Sequence, residues 1–136
     1  MENKPDPVKE LRIVHRALCI GASLIIVVNH FFIKPIDVSG IMDSLNLFSI
    51  LGLCIAVVGV ISASYLFNKR TQELGADLNS ENLDDYRAAY ILKWSLIEAA
   101  ILINAIFYFF SNADPINILV SILLLLVLYF SKPVIV

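Results

Sequence analysis

The feature that most constrains this chain is a set of long apolar runs separated by short polar stretches. The first run covers residues 17–33. At about 1.5 Å per helical residue, it approaches the length that crosses a hydrocarbon core of about 30 Å. The composition agrees, since 59% of the residues are hydrophobic and 16% are charged, and the mean hydropathy is +0.82. We therefore predict an all-α membrane protein.

Polar stretches divide the chain into four predicted membrane spans. The spans cover residues 14–33, 45–67, 88–110 and 116–131. A short loop at 34–44 joins the first two spans, and the longer polar segment 68–86, in which Gly75 is expected to end a helix, forms a cytoplasmic connector. We predict one membrane domain, residues 1–136, built as a four-transmembrane-helix bundle of two hairpins.

Basic residues near the ends of the spans predict the orientation of the chain. One side of the predicted membrane collects most of them: Lys4, Lys9, Arg12, Arg16, Lys69, Arg70, Arg87 and Lys132. The opposite side has only Lys34. Because Lys and Arg in short flanks favour the cytoplasmic side, both the N and C termini are predicted to be cytoplasmic.

Several classes of function are excluded by composition and spacing. A net charge of -2 leaves no basic face for nucleic acid. Cys19 and Cys54 lie in different apolar runs without a C-x-x-C motif, so they are predicted to be buried packing residues. His15 and His30 lie roughly 22 Å apart along one helix and cannot share a metal ion. Without a catalytic triad or nucleotide-binding loop, we expect neither an enzyme nor a bound cofactor.

Glu98 is the most informative single residue, because it lies well inside the third predicted span. An ionised, lipid-facing carboxylate there costs about 3 kcal/mol. Helical geometry turns Lys93 to nearly the opposite face, so Lys93 is not its ion pair. Candidates at similar depth on other spans are Cys19, Gly21, Ser62, Ser64 and Tyr129. Two interpretations stay open: a protonatable or ion-binding carboxylate, and a neutral acid hydrogen-bonded to a neighbouring helix.

Polar residues also mark the first span and the outer part of the bundle. A stripe on the first span is formed by Arg12, His15, Cys19, Ser23 and His30. We expect this stripe to turn inward against other helices, although it would also suit a hydrated path. An outer layer of interhelical hydrogen bonds is expected among Asn29, His30, Asn46, Ser49 and Asn104.

Small residues occupy one side of the second span, and we call this side the small-residue groove. It is formed by Ser49, Gly52, Ala56, Gly59 and Ala63. Such a surface lets helix backbones approach closely, and it is predicted to receive either the first span or another subunit. The fourth span has few polar residues besides Ser121 and Tyr129 and is predicted to face lipid.

The segment YRAAYILKWSLIEAA begins at Tyr86, contains Lys93, Trp94 and Glu98, and is followed after the last apolar run by Lys132 and Pro133. With this pattern the second half of the chain resembles a family of uncharacterised four-span bacterial integral membrane proteins. The resemblance implies a multi-pass protein of the bacterial cytoplasmic (inner) membrane. A distant likeness to rotary-ATPase proteolipids, which carry a proton or sodium ion on one membrane carboxylate, would give that role to Glu98.

Two functions follow as expectations. The first is a non-catalytic accessory or structural subunit of a membrane complex, whose partners are the lipid bilayer and further copies of itself or other membrane subunits. The alternative is a proteolipid-like subunit that handles protons or cations through Glu98.

Overall fold

A computed structural model of the protein describes residues 7–32, 45–75, 82–111 and 114–133. These residues form four helices: α1 (Pro7–Phe32), α2 (Leu47–Leu74), α3 (Leu83–Phe110) and α4 (Pro115–Phe130). The all-helical prediction is confirmed for this part of the chain. Three helices, α1 to α3, are long and apolar enough to cross a membrane, whereas α4 is shorter, at 16 residues. The loop predicted at 34–44 and the middle of the connector lie outside the described residues.

The connector is more helical than the sequence suggested. α2 continues past residue 67 to Leu74, and α3 begins at Leu83 rather than at residue 88. The reason is that hydropathy locates the end of the apolar segment, while the Lys, Arg, Gln and Glu residues that follow it in α2 are good helix formers. Gly75 follows α2 with a positive φ of 75°, a backbone conformation that glycine adopts without strain.

α3 and α4 form the centre of the bundle. Each of them contacts the other three helices, whereas α1 and α2 do not contact each other within the described residues. The two helices that follow one another at the start of the chain therefore lie on opposite sides of the α3–α4 pair and do not pack as a hairpin. Apolar helices resemble one another in composition, so the sequence alone could not show which pairs pack together.

The prediction that α4 faces lipid was wrong for half of its surface. One side of this helix is buried, at Asn117, Ile118, Val120, Ser121, Leu124 and Leu128. Leucine and isoleucine suit a lipid-facing surface and a helix interface equally well, because lipid tails are as apolar as the interior of the bundle. Hydropathy therefore identified the helix without indicating its place in the bundle.

The small-residue groove of α2 packs against α3. A side-chain carbon added at Gly59 would lie 3.1 Å from the Cβ atom of Ala100, and Ala56 and Ala63 are buried. The groove is therefore occupied within the chain by α3, and not by α1. The missing side chain at Gly59 is what permits this approach of the two backbones.

Polar contacts fix the relative direction of α1 and α4. His15 near the start of α1 donates from Nε2 to the carbonyl oxygen of Leu128 at 2.8 Å, and the indole N–H of Trp94 donates to the carbonyl oxygen of Ser131 at 2.9 Å. The beginning of α1 and the end of α4 therefore lie at the same end of the bundle, which we call the Trp94 end. The beginnings of α2 and α4 meet at the other end, which we call the Asp114 end.

Candidate functional site

Glu98 lies at the seam between α1 and α3. A side-chain carbon added at Gly21 of α1 would have one carboxyl oxygen of Glu98 as its nearest neighbour, at 3.8 Å. One turn earlier on the same face of α3, the ring of Trp94 lies 4.8 Å from the ring of His15, centroid to centroid. The seam is therefore narrow because Gly21 has no side chain, and the Glu98 carboxyl group fills the space beside it.

The carboxyl group of Glu98 has no partner within the described part of the chain. It is half-buried and makes neither a hydrogen bond nor an ion pair there. Lys93 does not approach it: its Nζ atom lies 4.6 Å from the centre of the Phe67 ring on α2, on the other side of α3. The sequence prediction that Lys93 projects away from Glu98 agrees with this arrangement.

Of the predicted companions, Gly21 of α1 lies beside Glu98, whereas Ser62 and Ser64 do not. Ser62 and Ser64 belong to α2, which meets α3 where Gly59 approaches Ala100. Ala100 is two positions after Glu98, a rotation of about 200° around the helix, so Glu98 faces away from the α2 side of α3. Hydropathy and helical geometry did not indicate on which side of α3 the second span lies.

At the Trp94 end, aromatic rings form a continuous series across the bundle. Phe67 of α2 lies 4.7 Å from Tyr90, Tyr90 lies 5.2 Å from Trp94, and Trp94 contacts His15 of α1, all measured between ring centroids. The carbonyl oxygen of Leu128 can only accept, so the Nε2 atom of His15 carries the hydrogen in this bond. His15 is thus a hydrogen-bonded packing residue at the inward-facing part of the α1 stripe.

At the Asp114 end, a buried acid joins α2 to α4. Asp114 is 4% exposed, and its carboxyl oxygens accept hydrogen bonds from the backbone N–H of Ile116 at 3.0 Å, from the side-chain amide of Asn46 at 3.0 Å and from the hydroxyl of Ser49. One residue therefore caps α4 and ties it to the start of α2. In the sequence, Asp114 stands directly before Pro115, a pattern that indicates a helix start but not a contact with α2. The feature of the sequence that could have indicated this contact is the Asn46–Ser49 capping pair, which lies at the same predicted depth as Asp114.

A second polar cluster lies one turn deeper, where Asn104 and Asn117 meet over Gly52. The amide of Asn104 donates to the carbonyl oxygens of Gly52 at 3.1 Å and of Ala100 at 3.0 Å. The side-chain oxygen of Asn104 and both polar atoms of Asn117 are buried without a partner among the described residues. Both side-chain oxygens lie where a carbon at position 52 would be, so rotation of the Asn117 amide would bring its N–H group towards the side-chain oxygen of Asn104 and give that oxygen a donor.

The predicted outer layer is therefore divided into separate contacts. Asn29 donates to the carbonyl oxygen of Ala105 at 3.4 Å and links α1 to α3. His30 does not join Asn46, Ser49 or Asn104. Its ring packs 5.2 Å from the ring of Phe31, and its Nδ1 atom is buried without a partner in the described part of the chain.

Two further predicted positions lie at the surface of the bundle. Tyr129 is 50% exposed and lines a cavity with Arg12 and His15 at the Trp94 end. Cys54 is exposed on α2 and Cys19 is half-buried on α1, so the prediction of buried packing residues was wrong for Cys54. Comparison of the chain with protein-family models, with curated proteins and with solved structures gives no match.

Proposed function

We propose that this chain is a non-catalytic accessory or structural subunit of a membrane complex, and that a helix of another subunit docks on the α1–α3 seam at Glu98. The observation that supports this proposal most directly is the half-buried, unpartnered carboxyl group of Glu98 in the apolar part of α3. An acid at this depth is costly when ionised and exposed to lipid, and such residues are ordinarily paired or turned towards a cavity.

The chemistry of the partner follows from the chemistry of the seam. Glu98 is only half-buried, so a side chain from outside the chain would have room to approach it. A transmembrane helix that carries a Lys, an Arg or a hydroxyl or amide donor at matching depth would supply the missing contact. The narrow strip at Gly21 would allow that helix to approach closely. A second copy of this chain and an unrelated subunit are both compatible with this chemistry.

We further propose that α4 crosses the bilayer together with the other three helices and that both termini are cytoplasmic. The 16 residues of α4 rise about 24 Å, and hydrogen bonds hold its beginning at the Asp114 end and its end at the Trp94 end. Arg12, Arg16 and Lys132 gather at the Trp94 end. Under the positive-inside rule this is the cytoplasmic end, and the bacterial cytoplasmic membrane is the proposed location.

The docking proposal predicts a crosslink on one side of the bundle only. A photoreactive amino acid at position 102, one turn beyond Glu98 on the same face and 37% exposed, should capture a partner helix in native membranes. The matched control is position 53 on α2, which is 42% exposed and lies on the far side of α3. Glu98→Leu should abolish the crosslink at position 102, while Glu98→Gln, which keeps a hydrogen-bonding group, should retain part of it.

The mass of the crosslinked product distinguishes a second copy of the chain from another subunit. Crosslinking at position 102 that is no stronger than at position 53, or that persists unchanged in Glu98→Leu, would contradict docking at this seam. Glu98→Leu is expected to fold, because it replaces an unpartnered acid by a residue that suits the apolar helix.

Proton or cation handling through Glu98 is the second candidate, and one observation favours it. Glu98 is half-buried, and position 21 has no side chain that would cover its carboxyl group on the α1 side. On the other hand, no group of three or more His, Cys, Asp or Glu side chains within the described ranges is placed to hold a metal ion. A cation at Glu98 would therefore need hydroxyl, carbonyl or water ligands.

Carbodiimide labelling separates the two candidates. Modification of Glu98 in membranes that protons or sodium ions suppress would favour ion handling, with Glu98→Gln as the unlabelled control. Labelling without such competition, or no labelling, would leave the accessory subunit as the better account.

A further inference from the structure

A cavity of about 570 Å³ lies at the Trp94 end, between the first half of α1 and the end of α4. Three of its lining residues carry permanent positive charges: Arg12 and Arg16, one helical turn apart on α1, and Lys132, two residues beyond α4. Among the residues that the structure describes, no Asp or Glu lines it. Within this part of the chain, the cavity therefore combines a concave shape with positive charge that no lining acid compensates.

Glu10 and Glu98, two acids of the described residues that lie close to this cavity, do not line it. Glu10, two residues before Arg12, forms an ion pair with Arg87 of α3. Within the described residues Arg12, Arg16 and Lys132 make no ion pair. Glu98 lies deeper, beside Gly21, and does not line the cavity. The three cations are thus available to an anion from outside the chain.

Within the described residues, the carbonyl groups at the end of α4 do not bind these cations either. The last carbonyl groups of a helix attract positive charge, because they lack partners within the helix. Here the carbonyl oxygen of Leu128 accepts from His15, and that of Ser131 accepts from Trp94. These two carbonyl oxygens therefore already have donors, and Arg12, Arg16 and Lys132 line the cavity.

The deeper wall of the cavity is apolar and opens to the lipid side. Ile20 is 61% exposed and Tyr129 is 50% exposed, and the Nζ atom of Lys132 lies 4.6 Å from the centre of the Tyr129 ring. Arg12 and Ile20 are separated by roughly 12 Å along the helix axis. The lining thus changes from cationic at the end of the bundle to apolar towards the middle of α1, which is the polarity of a phospholipid.

We propose that this cavity binds the headgroup of an anionic phospholipid, with the phosphate group among Arg12, Arg16 and Lys132 and an acyl chain along Ile20 and Tyr129. Arginine side chains bind phosphate oxygens through two parallel hydrogen bonds, and basic pockets between membrane helices on the cytoplasmic side hold such headgroups. Free inorganic phosphate shares the anionic chemistry but gains nothing from the apolar wall. The lipid is therefore the favoured occupant.

The test is lipid binding by the full chain in a non-ionic detergent, followed by native mass spectrometry and by titration against thermal unfolding. Phosphatidylglycerol should be retained on the protein and raise its unfolding temperature, whereas phosphatidylcholine and inorganic phosphate should not. The triple variant Arg12→Gln/Arg16→Gln/Lys132→Gln should bind phosphatidylglycerol about a hundredfold more weakly, since each cation near a lipid headgroup contributes about a fivefold gain in affinity. Lys69→Gln/Arg70→Gln, which removes exposed cations of α2, is the matched control and should bind as the natural chain does.

Equal affinity in the triple variant and the natural chain would overturn the proposal. Binding of inorganic phosphate as tight as that of phosphatidylglycerol would overturn the lipid assignment. Lys132 lies beyond the end of α4, so Lys132→Gln alone is expected to fold, and its expected fivefold loss of affinity keeps the proposal testable if the triple variant does not fold. None of these outcomes depends on Glu98 or on a docked helix.

Discussion

Among the glycine residues that the structure describes, Gly52 leaves the least room for an added carbon. A Cβ atom at this position would overlap the side-chain oxygens of both Asn104 and Asn117. Both asparagine residues are fully buried, and the amide of Asn104 is held by two backbone carbonyl groups. Neither side chain can therefore move aside without losing hydrogen bonds or buried contacts.

Gly52→Ala should lower the free energy of unfolding by about 1–3 kcal/mol, the usual effect of overpacking a tight interface. The measurement is denaturing-detergent unfolding in mixed micelles. Gly21→Ala is the matched control, because its new carbon would lie 3.8 Å from Glu98, an ordinary contact distance. Equal stability of the two variants would show that the Asn104–Asn117 cluster yields easily and does not fix the approach of α2 to α3.

Residues differ in how much of their role the sequence reveals. Glu98 stood out because an acid inside an apolar run is unusual, and its position on the face away from Lys93 followed from helical geometry. Asp114 did not stand out, because an Asp before a Pro is an ordinary helix start wherever it occurs. That its carboxyl group also accepts from Asn46 and Ser49 depends on the tertiary arrangement of α2 and α4.

At the scale of elements, Asp114 sets both the start of α4 and its attachment to α2. Asp114→Ala would remove the acceptor for the backbone N–H of Ile116 and leave the donors of Asn46 and Ser49 without this partner. We expect a loss of about 1–3 kcal/mol in the free energy of unfolding, measured by the same detergent unfolding. Asp84→Ala is the control, since Asp84 also lies in the first turn of a helix but has a side chain that is 90% exposed. A change of no more than about 0.5 kcal/mol is expected there, and an equal loss in both variants would argue against a special role for Asp114.

The elements themselves were predictable, and their neighbours were not. The apolar runs located all four helices, and they placed the helix ends at the Asp114 end of the bundle to within a few residues. Gly75 marked the end of α2. The sequence predicted the pairing of α2 with α3 only in part. The small-residue groove indicated a tight interface, but nothing in its sequence favoured α3 over α1 as the partner. The buried side of α4 was not visible at all, because its leucine residues suit lipid and protein equally.

For the whole molecule, the unequal burial of the helices indicates where other molecules would bind. In the apolar stretch of α3, 39% of the residues are buried, whereas in that of α1 only 17% are buried. α1 therefore lies at the edge of the bundle. Glu98 and the cationic cavity both lie beside α1, on the side of the α3–α4 pair that α2 does not cover. A docked helix and a bound lipid at α1 would therefore cover surfaces that the chain leaves open on that side.

The number of crossings decides on which side of the membrane this open part of the bundle lies. With three crossings the N and C termini would lie on opposite sides of the bilayer, whereas a fourth crossing by α4 returns the C terminus to the side of the N terminus. Reporters that are active only in the cytoplasm, fused in turn before Met1 and after Val136, should therefore both be active, because the basic residues of the Trp94 end favour the cytoplasm. Reporters that are active only after export serve as the controls at the same two positions and should be silent.

An active exported reporter at Val136 together with an active cytoplasmic reporter at Met1 would mean that α4 does not cross the membrane. Arg12, Arg16 and Lys132, which lie together at the Trp94 end, could not then be on one side of the membrane.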